Sequence, residues 1–127
     1  MPGMDHHQIA RLQAAGRLVL GILLVLFPRR IGRWWIGPVA DHREASVMSR
    51  GMGARDAALA VGTLRALAKG EPARPWIIGG MAADGTDALA TLAVAGRIGR
   101  LRAVLVAATA LGSAVTGATI LDRVDNA

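Results

Sequence analysis

From Ala103 to Leu121 the chain runs for nineteen residues without one ionisable side chain. As a helix rising ~1.5 Å per residue, this stretch is about 28 Å long, close to the hydrocarbon thickness of a bilayer. Such a segment needs either a protein core on all sides or lipid. Material for the first is scarce: the apolar share is 53%, but it is mostly Ala, Val, Leu and Ile, with one Phe and no Tyr in 127 residues. The mean hydropathy of +0.39 also lies above the usual soluble range. Small residues suit helices that approach closely in lipid. The first expectation is therefore one all-α domain embedded in a membrane.

Three further apolar segments precede this one. Ile9 to Phe27 becomes steadily more apolar, and Pro28 closes it, because proline cannot donate to a continuing helix. Met1 to Gln8 lacks the basic region that precedes a secretory signal core, and no small-residue cleavage site follows the apolar run, so this helix is expected to be retained. Residues 47–68 and 76–96 supply the other two, parted by the breaker-rich Lys69-Gly70-Glu71-Pro72-Ala73-Arg74-Pro75. These segments predict an integral membrane bundle of four transmembrane helices in two helical hairpins. The spans fall at about 9–27, 47–68, 76–96 and 103–121 of a single domain covering 1–127. Residues 29–38 mix bases with Trp34 and Trp35, as interfacial segments do. Asp41-His42-Arg43-Glu44 reads as a short exposed turn, and Ser46 or Ser49 as a cap for the second span.

Fourteen of the fifteen basic residues are Arg, Lys69 being the exception, and the formal charge is +6. No nucleic-acid recognition motif or stacking array accompanies these bases, which cluster between apolar segments, so nucleic acid is not an expected partner. Arg29, Arg30, Arg33, Arg43, Arg97, Arg100 and Arg102 lie in the first and third connections; Lys69 and Arg74 are alone in the second. The positive-inside tendency then places the protein in the inner (plasma) membrane, multi-pass, with both termini outside. Arg-Ile-Gly-Arg occurs at 30–33 and again at 97–100, which marks either two related hairpins or a coincidence of composition.

The second and third spans carry ionised side chains that hydrocarbon does not tolerate alone. Insertion at a helix centre costs about 2.5–3.5 kcal/mol for each such residue. Matching depths puts Arg17, Arg55, Asp56 and Asp84 in one central layer, with Arg50 and Asp87 about a turn nearer the cytoplasm. Three positive and three negative groups then face the bundle interior. Arg55 with Asp84, Arg50 with Asp87 and Arg17 with Asp56 is the simplest pairing, and Arg suits it because its fork holds a carboxylate with two hydrogen bonds. Arg17, Arg50, Arg55, Asp84 and Asp87 are the candidate ligand-binding residues. Asp84, Asp87 and Asp56 are the candidates for any catalytic proton exchange.

Other chemistry finds little support. The chain has no Cys, and Asp5-His6-His7 reads as a solvated tail, so neither a metal nor a cofactor is expected. Ser113 and the threonines of the last helix have no His at matching depth to act as a general base. A comparison with small multidrug transporters fails at the first helix, which carries Arg17 where those proteins carry an acid.

Gly53-Ala54-Arg55-Asp56, Arg74-Pro75-Trp76 and Ala83-Asp84-Gly85-Thr86-Asp87, followed by a Gly/Ala-rich final helix, together resemble small uncharacterised four-helix membrane proteins of actinobacteria. That resemblance implies the four-span topology and no activity. Two functional readings stand. In one, the charged layer is interhelical glue in a homo-oligomeric or accessory subunit of a membrane assembly, and the chain is not an enzyme. In the other, the layer lines a cavity of a ligand-handling protein, a transporter or an enzyme such as an isomerase or cyclase. The bilayer is a partner in both.

Overall fold

The breakers and caps seen in the sequence divide the chain close to the expected places. A computed structural model describes residues 3–125; Met1, Pro2, Asn126 and Ala127 lie outside the described residues. Among those described there are six α-helices and no strand. The first, α1 (His6–Leu26), stops at Phe27, and Pro28 opens α2 (Pro28–Ile36) instead of merely ending α1. A 3-10 turn over Gly37–Asp41 leads to α3 (Arg43–Lys69). After Gly70 and the proline-rich connector come α4 (Arg74–Ala93), the single turn α5 (Ala95–Ile98) and α6 (Arg100–Ile120).

Glycine marks the sharpest of these stops. Gly70 has φ +67° and ends α3 with its N–H on the Ala66 carbonyl, a left-handed cap that a residue with a Cβ enters only at a cost. Ser46 and Ser49 do not cap α3 as expected. The helix begins earlier, at Arg43, which carries both serines inside its first turns, where they are buried.

Of the expected spans, α1 and α6 are long and apolar enough to cross a membrane. The last helix does so without a charge between Ala103 and Leu121, and α1 does so in spite of Arg17. At 27 and 20 residues, α3 and α4 are long enough but do not meet the same test of apolarity and charge. The architecture shown is thus an all-α fold with two helices of membrane-crossing character.

Packing follows the hairpins: α1 lies along α3 and α4 along α6, whereas α1 and α6 touch little. The first pair meets backbone to backbone. A Cβ on Gly21 would sit 2.6 Å from the Gly53 carbonyl oxygen, and one on Gly53 would sit 2.6 Å from that of Gly21. A hydrophobic core lies at the end where α1 begins and α6 finishes, formed by Ala10, Ala66, Leu67, Ala73, Ile77, Ile120 and Val124. Asp125 secures the same end by accepting from the backbone N–H groups of Ala73 and Arg74 at 2.8 and 3.3 Å, which satisfies donors at the start of α4 that have no helical partner.

At the opposite end α2 covers the bundle. Arg33 holds Asp41 through two hydrogen bonds of 2.9 and 2.7 Å, and that exposed pair draws the Asp41 carboxyl below its usual range. The two expected interfacial indoles part company here. Trp34 is 81% exposed, whereas Trp35 points inward and donates its indole N–H to the Thr91 hydroxyl at 2.8 Å.

Candidate functional site

Four helices deliver polar atoms to one level of the bundle. Helical spacing explains the grouping: Gln13 and Arg17 are four residues apart on α1, and Asp84 and Asp87 are three apart on α4, so each pair shares a face. Arg17 bridges three helices. Its Nη1 donates to Asp56 Oδ1 at 3.3 Å on α3, and its Nη2 donates to Asp84 Oδ2 on α4 and to the Ser113 hydroxyl at 3.4 Å on α6. A Cβ at position 80 would lie 3.3 Å from Arg17 Nη2, so Gly80 leaves the space in which that guanidinium sits.

Arg55 extends the network. It donates to Asp56 Oδ1 from Nε and Nη2 at 3.1 and 3.0 Å, and it grips both oxygens of Asp87 at 3.1 and 2.6 Å. The result is a chain of ion pairs, Asp84, Arg17, Asp56, Arg55, Asp87, in which every side chain except that of Arg55 is close to fully buried. Bidentate, charge-assisted bonds of this kind allow guanidinium and carboxylate groups to share a low-dielectric interior.

The expected pairing is corrected in two places. Arg17 does meet Asp56, but Arg55 pairs with Asp56 and Asp87 and not with Asp84, which belongs to Arg17. Arg50 does not reach Asp87. It is exposed and donates to the Val25 carbonyl at 3.1 Å, near the end of α1. Depth was the wrong guide there: five residues turn a helix about 500°, which sets Arg50 roughly 140° round α3 from Arg55. Without Arg50, the network has two bases and three acids.

Two members were missed as such. Gln13 Nε2 donates to the Ser113 carbonyl at 2.7 Å and to its hydroxyl at 3.0 Å, so an amide and a hydroxyl join α1 to α6 where these helices otherwise stand apart. The signal in the sequence was Gln13 one turn before Arg17 on an apolar helix.

The gap between α1 and α6 forms a crevice of about 690 Å³, a size common for small-molecule sites, about 300–1,000 Å³. Leu12, Leu20, Leu101, Leu105 and Val106 make its walls, and Ile31, Trp34 and Trp35 of α2 close one end. Gln13, Arg17, Asp56, Asp84, Asp87 and Ser113 form its polar side, and Arg102 stands near α2. Arg102 is occupied there, donating to the Ile98 carbonyl at 2.8 Å.

Two carboxylate oxygens in this network accept no hydrogen bond among the described residues, Asp56 Oδ2 and Asp84 Oδ1. Neither is sealed, since Ser46 Oγ is the one enclosed side-chain polar atom without a partner among the described residues. Both residues line the crevice. Among the described residues, no three His, Asp or Glu converge to hold a metal ion.

Fold and site together define an all-α protein in which a buried Arg/Asp network opens onto an apolar crevice. Comparison with protein-family models, with curated proteins and with solved structures gives no match. The actinobacterial resemblance therefore stands on its quoted residues alone.

Proposed function

We propose that this chain is a four-span membrane protein whose crevice between α1 and α6 receives an amphipathic molecule from the bilayer. The molecule's apolar body lies on the leucine-rich walls, and its polar group reaches the Arg/Asp network. One observation carries this reading: a cavity of about 690 Å³ with apolar walls ends on buried carboxylates that keep free oxygens. The membrane setting is supported by α1 and α6, where only 22% of each apolar window is buried inside the protein. A soluble protein rarely leaves that much contiguous apolar surface uncovered. Under this reading α3 and α4 cross the bilayer because their charges are turned inward and paired. Whether the bound molecule is moved or chemically altered depends on its identity.

Ala110 lines the crevice from α6, and Ala110→Phe puts a phenyl ring into it. Calorimetric titration of the purified full chain with amphipathic probes should show saturable binding near one per chain, which Ala110→Phe abolishes while helicity is kept. Binding that survives this substitution would place the ligand elsewhere.

A second reading, a homo-oligomeric or accessory subunit, is favoured by a different face. Gly51 on α3 and Gly85 on α4 have nothing within 4 Å of a built Cβ, beside exposed Val47, Met48 and Leu89. Small residues flanked by large ones are the material of close helix contacts in lipid. The two readings are compatible, because this face lies on α3 and α4 and the crevice between α1 and α6.

A further inference from the structure

At its polar end the crevice carries carboxylate oxygens that accept no hydrogen bond among the described residues. Both guanidiniums are turned to carboxylates of the network: Arg17 Nη1 to Asp56 and Nη2 to Asp84, Arg55 Nη1 to Asp87 and Nη2 to Asp56 and Asp87. Asp56 Oδ2 and Asp84 Oδ1 are the carboxylate oxygens left without a donor. Arg17 and Arg55 against Asp56, Asp84 and Asp87 leave a formal charge of −1 with all five ionised. Arg102 stands about 16 Å away, three turns along α6 from Ser113, at the far end of the crevice.

We infer that the crevice takes a lipophilic monocation, an amine or onium head on an apolar body. This rests on the proposal that the crevice is a ligand site, and it names the ligand's charge. An anion would meet a carboxylate edge in a low-dielectric cavity, where like charges repel strongly. A neutral donor satisfies an oxygen but leaves the charge uncompensated. A protonated amine does both, through a charge-assisted bond about twice as strong as a neutral one, and an onium compensates the charge alone. The apolar walls select an organic cation over a hydrated metal ion, for which no ligand set converges.

The experiment uses the full chain in detergent micelles and three probes of similar bulk: tetraphenylphosphonium, tetraphenylborate and neutral triphenylphosphine oxide. Saturable binding is measured by calorimetry against a blank of protein-free micelles. The phosphonium should bind at least tenfold tighter than either of the others. Leu105→Lys places a positive charge on an exposed wall position; it should weaken the phosphonium at least tenfold and strengthen the borate.

Equal binding of all three probes, or a preference for the borate, would overturn the cationic assignment and leave the crevice as a ligand site. Failure of every probe to bind folded protein would remove both. The comparison of probes on the unaltered chain depends on no variant folding. An unchanged ratio in Leu105→Lys would place the charge preference outside this crevice and also overturn the inference.

Discussion

Arg17 is the residue on which the others depend, because one guanidinium reaches Asp56, Asp84 and Ser113 on three different helices. A lysine carries a point charge without the planar fork, so it could not hold two carboxylates in the same geometry. Removing one partner of a buried pair costs about 3–5 kcal/mol when the other is left charged and unpaired; Arg17 keeps Asp56, so the loss of Asp84 should cost less than that. Asp84→Asn should therefore lower the melting temperature of the detergent-solubilised protein. Arg17→Gln combined with Asp84→Asn should recover part of that loss, since it removes both charges of the pair. If the double variant melts lower than the sum of the single effects, Arg17 is held mainly by Asp56 and the assigned pairing is wrong. A role for Asp84 as glue does not exclude one in binding: its Oδ2 holds Arg17 while its Oδ1 remains open.

The helices illustrate which information a single sequence carries. Their ends were legible because proline, glycine and charged turns act locally: Pro28, Gly70 and Gly99 each stand at a helix boundary. The members of the charged network were legible from the cost of ionised groups among apolar ones, which singled out Arg17, Arg55, Asp56, Asp84 and Asp87. Their pairing was not. Depth along an axis ignores the angle between residues on one helix, which is what took Arg50 away from Arg55, and which face each helix turns to its neighbours depends on how the helices pack. The same packing rests on Gly21 and Gly53. Gly53→Ala puts a methyl 2.6 Å from a backbone oxygen that has no rotamer to change, so α1 and α3 must separate. Overpacking of this kind costs about 1–3 kcal/mol. It should appear as a lowered thermal midpoint for Gly53→Ala, with little change for Gly51→Ala, which meets open space.

For the molecule as a whole, sequence patterning anticipated two hairpins, and the structure packs each hairpin on itself, α1 on α3 and α4 on α6. The crevice between the hairpins was not legible. Apolar residues facing lipid and apolar residues lining a cavity read alike in one dimension, and only the spacing of α1 from α6 separates them. Orientation in the membrane is open to direct measurement. A periplasmic reporter joined after Ala127 should be active and a cytoplasmic one inactive; the reverse result would invert the proposed topology. The reporter needs a linker, because Asp125 is engaged with the start of α4.

The arrangement of aromatic residues has a spectroscopic consequence. The chain contains three tryptophans; two of them, Trp34 and Trp35, line the crevice, and Trp76 does not. Trp76→Phe would therefore leave a protein whose indole emission comes only from the crevice. Trp35 has its N–H committed to Thr91, whereas Trp34 is mostly uncovered. The polarity around the second ring thus changes when the space beside it fills. Under the proposed function, this indole is an intrinsic optical gauge of whether the crevice is filled, readable without a label.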